Sequence, residues 1–95
     1  MEYVFIQRPG DKEEILELLN NFKEYSKEEL IEDYNKAVEI GIVGSRAQAQ
    51  KLIALNITFK TIFSSSPIKI ENNILIRLTD KIELDGNNWH YQKLT

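Results

Sequence analysis

The hydrophobic period of this chain changes once, at Ser64-Ser65-Ser66-Pro67, and the change divides it into two kinds of structure. Before that point apolar residues recur with the 3.6-residue spacing of helices; after it they alternate with the 2-residue spacing of strands. Pro67 has no amide hydrogen to donate and cannot continue a helix. A helical block followed by a strand block predicts an α+β architecture, since alternating strands and helices are what a parallel α/β sheet requires.

Three segments divide the helical block. Asp11 stands three residues before Glu14 as a capping box, and Ile15, Leu18, Leu19, Phe22 and Tyr25 form one stripe, predicting a helix over 12–25. Ser26 with Glu29 opens a second over 27–40, whose stripe of Leu30, Ile31, Tyr34, Ala37 and Val38 stops at Gly41, a residue suited to a left-handed C-terminal cap. Ser45 with Gln48 opens a third over about 45–63. Its apolar residues, Leu52, Ile53, Leu55, Phe59, Ile62 and Phe63, lie on more than one side, so it is the expected buried helix. The β-branched pairs Ile57-Thr58 and Thr61-Ile62 are its weak points.

The strands are short. Tyr3-Val4-Phe5-Ile6-Gln7 is β-branched and aromatic, apolar on both faces, and ends at Pro9-Gly10. After Pro67, Ile68 and Ile70 alternate with Lys69 and Glu71. Ile74, Ile76 and Leu78 alternate with Leu75 and Arg77, and Ile82 and Leu84 with Lys81 and Glu83. Asn72-Asn73 and Asp85-Gly86-Asn87-Asn88 supply turns, because asparagine and glycine tolerate positive φ. The expected fold is an N-terminal strand, three helices, and a C-terminal antiparallel meander packed on the third helix, all in one domain over residues 1–95.

Composition removes several chemistries. Without cysteine there is no disulfide, thiolate nucleophile or cysteine metal site, and a single histidine leaves no multi-histidine centre. No apolar run is long enough to span a membrane and no hydrophobic segment follows Met1, so a cytoplasmic protein without membrane contact is expected. The 13 isoleucines, 8 asparagines and 9 lysines all use A/T-rich codons, which points to an A/T-rich bacterial or phage genome. The net charge is -3, unevenly spread: residues 1–44 hold 5 Lys/Arg against 11 Asp/Glu, residues 45–95 hold 7 against 4, and no acid occurs from Ile40 to Ile70.

No motif supplies a nucleophile, a base and an orienting group together, so no catalytic, metal or cofactor residue is assigned and a non-catalytic role is expected. The i, i+4 pairs Glu13/Glu17, Glu28/Glu32 and Glu29/Asp33 lie opposite the apolar stripes, where water solvates them. His90, between Trp89 and Tyr91, reads as the solvent-facing position of a strand whose neighbours cover the core.

The segment from Gly41 to Lys51 is the candidate for anion or nucleic-acid contact, through Gly41, Gly44, Ser45, Arg46, Gln48, Gln50 and Lys51. Two helices meet there at a Gly-x-x-Gly turn, and the second begins with free N–H groups and nearby cations, an arrangement that attracts phosphate or carboxylate. The layout resembles the helix-turn-helix, whose second helix reads the major groove, and the Gly-x-x-Gly loop of KH domains. Those resemblances imply a nucleic-acid-binding regulator of helix-turn-helix or winged-helix type. The other reading is an interaction or regulatory domain with a protein partner or a second copy of itself. Its self-association residues are Tyr3, Phe5 and Leu75, because apolar residues on both faces of a strand imply cover on both. The two readings separate on whether Arg46, Lys51, Lys60 and Lys69 share one exposed face.

Overall fold

In the computed structural model, which describes residues 2–72 and 75–92, the chain is α+β with eight elements. They are β1 (Glu2–Val4), α1 (Asp11–Phe22), α2 (Lys27–Ile40), α3 (Arg46–Phe63), β2 (Lys69–Glu71), β3 (Leu75–Arg77), β4 (Ile82–Asp85) and β5 (Asn88–Tyr91). Asn73 of the first strand turn and the alternating Ile74 lie outside the described residues.

The period change at Ser64 is a real break: Ser64 adopts φ 66 and ψ 0, the left-handed end of α3, and Pro67 is fully buried beyond it. The strand block then splits into two sheets. β1 crosses the whole chain to pair with β3, giving a three-stranded antiparallel sheet in the order β1-β3-β2, while β4 and β5 form a separate hairpin. Register sorts the residues as the alternation predicts. Tyr3, Ile76 and Ile70 form one cross-strand row on the inner face; Val4, Leu75 and Glu71 form the next row on the outer face. Arg77 holds the outer face together, donating to Glu2 at 3.2 Å and to Glu71 at 3.0 Å.

α3 is the central helix. Ala49, Leu52, Leu55, Phe59 and Phe63 are buried along it, and Ala54, Asn56 and Thr58 are buried on its flanks. Its β-branched residues do not shorten it: α3 runs to Phe63, with Thr58 and Thr61 each returning a hydroxyl to the carbonyl four residues back, at 2.9 Å. α1 lies along one side of α3. On the other side Tyr34 of α2 meets Phe59 edge-on, Phe59 stacks on Phe63, and the Tyr34 hydroxyl donates to the Asp80 carbonyl at 2.9 Å. Burial pushes that hydroxyl up to about 12.

Local ends differ from expectation in two places. α1 stops at Phe22, where Tyr25 turns back to stack edge-on against it and the amides of Glu24 and Tyr25 donate to carbonyls three residues earlier. Gly41 has φ 83 but ψ 172, so it turns the chain outward without forming a left-handed cap. The capping box of Ser26 and Glu29 is complete.

The β4–β5 hairpin is latched to α2 by Asn35 and by Lys27, whose Nζ donates to the Asn87 carbonyl at 3.5 Å. Asn35 donates to the Ile82 carbonyl at 2.8 Å and accepts from the Ile82 amide at 2.8 Å, so its amide group takes the place of a neighbouring strand. Three substitutions follow. Leu55→Ala or Phe59→Ala should cost about 2–5 kcal/mol through lost burial and the remaining cavity. Asn35→Ala should cost about 1–3 kcal/mol by leaving the Ile82 amide without its acceptor, while the Ile82 carbonyl keeps Gln92 Nε2 at 3.2 Å. Urea midpoints at constant slope measure all three; an unchanged midpoint for both α3 variants would remove this helix from the core.

Candidate functional site

The Gly41–Lys51 segment folds as the turn its sequence describes, and its polar side chains are turned inward on the chain. The Ser45 hydroxyl caps α3 by accepting from the Gln48 amide at 3.1 Å. The Gln48 side chain braces the turn, donating to the Gly41 carbonyl at 2.9 Å and accepting from the Val43 amide at 3.0 Å. Gly44, at φ 80, carries the chain into that cap. Between the glycines Ile42 is half-buried against the core and Val43 is exposed.

Arg46 reaches away from solvent, toward Asp11 at the start of α1. Asp11 is 3% exposed, and each of its oxygens has two donors. Oδ1 accepts from Arg46 Nε at 3.1 Å and from Gln50 Nε2 at 2.7 Å; Oδ2 accepts from Arg46 Nη2 and from the Arg8 amide at 2.6 Å. Arg46 Nη2 also donates to the Ile6 carbonyl at 2.6 Å, and the guanidinium lies 4.6 Å from the centre of the Phe5 ring. The cation is thus enclosed by a carboxylate, a carbonyl and an aromatic face.

Asp11 is the residue that sequence reasoning misplaced. It reads as a helix cap, but the cap position is Gly10, with φ 93 and ψ -19. Arg8-Pro9-Gly10-Asp11 is a type II turn closed by the Asp11 amide on the Arg8 carbonyl at 3.2 Å, with proline and glycine in the two places that turn prefers. The turn frees the Asp11 side chain for Arg46. The available signal was Arg46 and Gln50 at i, i+4 on one face of α3, an arrangement that presents donors to a single acceptor.

The remaining cations are dispersed. Lys51 pairs with Asp33 of α2 at 3.2 Å. Lys60 is nine residues further along α3, about half a turn round the helix axis, and projects on the α1 side. Lys69 lies on the outer sheet face beside Arg77. Among the acids, Glu29 is engaged in its capping box and Glu13, Glu17, Glu28 and Glu32 are exposed. His90 meets its cross-strand neighbour Glu83 at 3.1 Å on the surface.

The strand residues separate too. Phe5 belongs to the core at 5% exposure, beneath Arg46, so it is not a surface residue as its sequence position indicated. Tyr3 is half-buried on the inner face and Leu75 half-buried on the outer face. The exposed apolar residues here are Val4 and Ile6, which the two-faced strand pattern contains but does not single out. Compared with family models, curated proteins and solved structures, the chain matches none.

The electrostatics of the Asp11 site have a direction. Hydrogen bonding from Arg46 holds the Asp11 carboxyl below its ordinary value, with the Arg8 amide and Gln50 adding to this, while burial opposes it. The charged form therefore stabilises the fold at neutral pH. That contribution falls away as pH drops through the ordinary aspartate range near about 4 toward the lower folded value. Asp11→Asn should lower the melting temperature at pH 7 and flatten its decline below about pH 5. Thermal midpoints of both proteins against pH check it; parallel curves would show that Asp11 has no part in acid unfolding.

Proposed function

We propose that the chain is a small non-catalytic interaction domain that self-associates through the free edge of β1. One observation carries this reading: beside an edge strand, Val4 and Ile6 are 58% and 67% exposed. β1 bonds to β3 on one side only, leaving a row of backbone groups open to another strand on the other. The segment continues past the three paired residues with β-forming side chains, and among the described residues, 5–8 have no strand partner.

A second copy completes this edge with matched chemistry. Antiparallel pairing about a two-fold axis at Phe5 sets Val4 of each copy beside Ile6 of the other and Glu2 beside Arg8, joining apolar to apolar and acid to base. Leu75 extends the apolar strip from Val4 across the outer face. The short ladder makes a modest interface, so a concentration-dependent dimer of micromolar strength is expected.

Nucleic-acid binding has less support. Arg46, Gln50 and Lys51 already hold carboxylates, and Lys51 and Lys60 project on opposite sides of α3. A shift of mixed-sequence DNA or RNA by micromolar protein at low salt would favour it again.

Light scattering coupled to gel filtration tests the dimer over a dilution series up to about 50 µM. The expected result is a mass rising from one chain to two, and a single-chain mass at every concentration for Ile6→Lys with its circular dichroism unchanged. A wild-type mass of one chain throughout the series would overturn the proposal.

A further inference from the structure

A groove runs between α1 and α3, its first cavity reaching Phe5 and Gln7 of the segment that follows β1. It consists of two joined cavities of about 500 Å³ and about 520 Å³ that share Leu16, Leu19 and Ile57. Leu16 is 50% exposed; it lies off the buried stripe of α1, and Ile57 and Ile62 form the corresponding outward apolar side of α3. Isolated exposed leucines need no explanation, but apolar residues from two helices gathered along one trough mark a contact surface.

The charges along this trough are all of one sign. Lys12 and Lys60 line the first cavity and Lys23 the second; no acid lines either, in a chain whose acids outnumber its bases by 15 to 12. Among the described residues none of the three lysines has a carboxylate within ion-pair distance. The floor holds a second irregularity. Asn56 is 5% exposed and lines the first cavity, and its buried Oδ1 has no hydrogen-bond donor. A buried acceptor without a donor costs free energy that an arriving N–H or O–H recovers.

We propose that this groove docks an amphipathic helix with acidic flanks, carried by another protein. A third helix lying between two packed helices is the ordinary way to fill such a trough, its apolar stripe on Leu16 and Ile57 and its acids at the lysines. The span from Lys12 to Lys23 on α1 is eleven residues, about 16 Å, so about three turns of the incoming helix are engaged. A polar side chain midway along its stripe meets the Asn56 amide group, which rotates to present Oδ1 to it. A second copy of this chain is a poorer occupant, since two-fold packing of the groove on itself sets lysine against lysine. A lipid surface is poorer too, because membranes are met by convex amphipathic faces and the groove is concave.

The probe is a labelled peptide of about 16 residues with a leucine stripe at i, i+3, i+4 and i+7, glutamates on both flanks and one glutamine at mid-stripe. Fluorescence anisotropy is read on the wild type and on the Ile6→Lys chain, so the result is independent of β1 pairing. The peptide should bind both equally and a version with lysine for glutamate should not bind. Affinity should fall about tenfold or more for Lys12→Glu/Lys60→Glu and for Leu16→Glu, with melting temperatures retained. Replacing the peptide's glutamine by alanine should weaken binding several-fold on the wild type and not on Asn56→Leu. Absence of binding, equal binding of the lysine peptide, or affinity untouched by the groove variants would overturn the proposal. So would anionic vesicles that bind the chain and displace the peptide at the same groove residues, which would assign the trough to lipid.

Discussion

The contact between Asp11 and Arg46 joins the segment after β1, the start of α1 and the start of α3. Asp11 begins α1, Arg46 begins α3, and the guanidinium's other partners, the Ile6 carbonyl and the Phe5 ring, belong to the segment following β1. A carboxylate at 3% exposure is tolerable because each oxygen has two donors, and the cation because it keeps 26% of its side chain open to water while Nε and Nη2 are bonded within the chain. Such a pair does not outbid a well-packed apolar core in raw stability. Its effect is positional: only one placement of the Pro9-Gly10 turn against the first turn of α3 satisfies four donors together, and that placement sets where α1 lies along α3.

The rest of the molecule is arranged around α3 by ordinary burial. α1 covers one side, Tyr34 and the aromatic stack of Phe59 and Phe63 form the other, and Ile76 and Ile82 close the core from two separate sheets. The split into two sheets has a visible cause. Tyr34 and Asn35 on α2 bond to Asp80 and Ile82, so the chain between β3 and β4 is held by a helix where a continuous meander would need it to be held by a strand.

Much of this arrangement is legible in the sequence because it rests on periodicity. The stripe of α2, the caps at Ser26 and Ser45, the break at Ser64 and the shared face of Ile76 and Leu78 all follow from spacing alone, whereas Tyr3, in a strand apolar on both faces, does not. What is not legible depends on pairs distant in sequence. Asp11 looks like a cap until Arg46 is known to face it, and the candidate anion residues Arg46, Gln50 and Lys51 look available until Asp11 and Asp33 arrive as partners. Leu16 and Ile57 fall outside the buried stripes, and only the packing of α1 on α3 places them side by side. Periodicity separates inside from outside, but it does not say which outside residues become neighbours.

The pairing of β1 with β3 also sets an order of events during synthesis. Glu2 lies opposite Arg77 and Val4 opposite Leu75, so the first strand made must wait for a partner more than seventy residues downstream. At a translation rate of about 5–20 residues per second, that delay is several seconds. Throughout it Tyr3, Val4, Phe5 and Ile6 have neither a neighbouring strand nor a complete core, while the helices behind them are already emerging. On a crowded polysome these four residues are the ones that nascent-chain chaperones have most reason to shield.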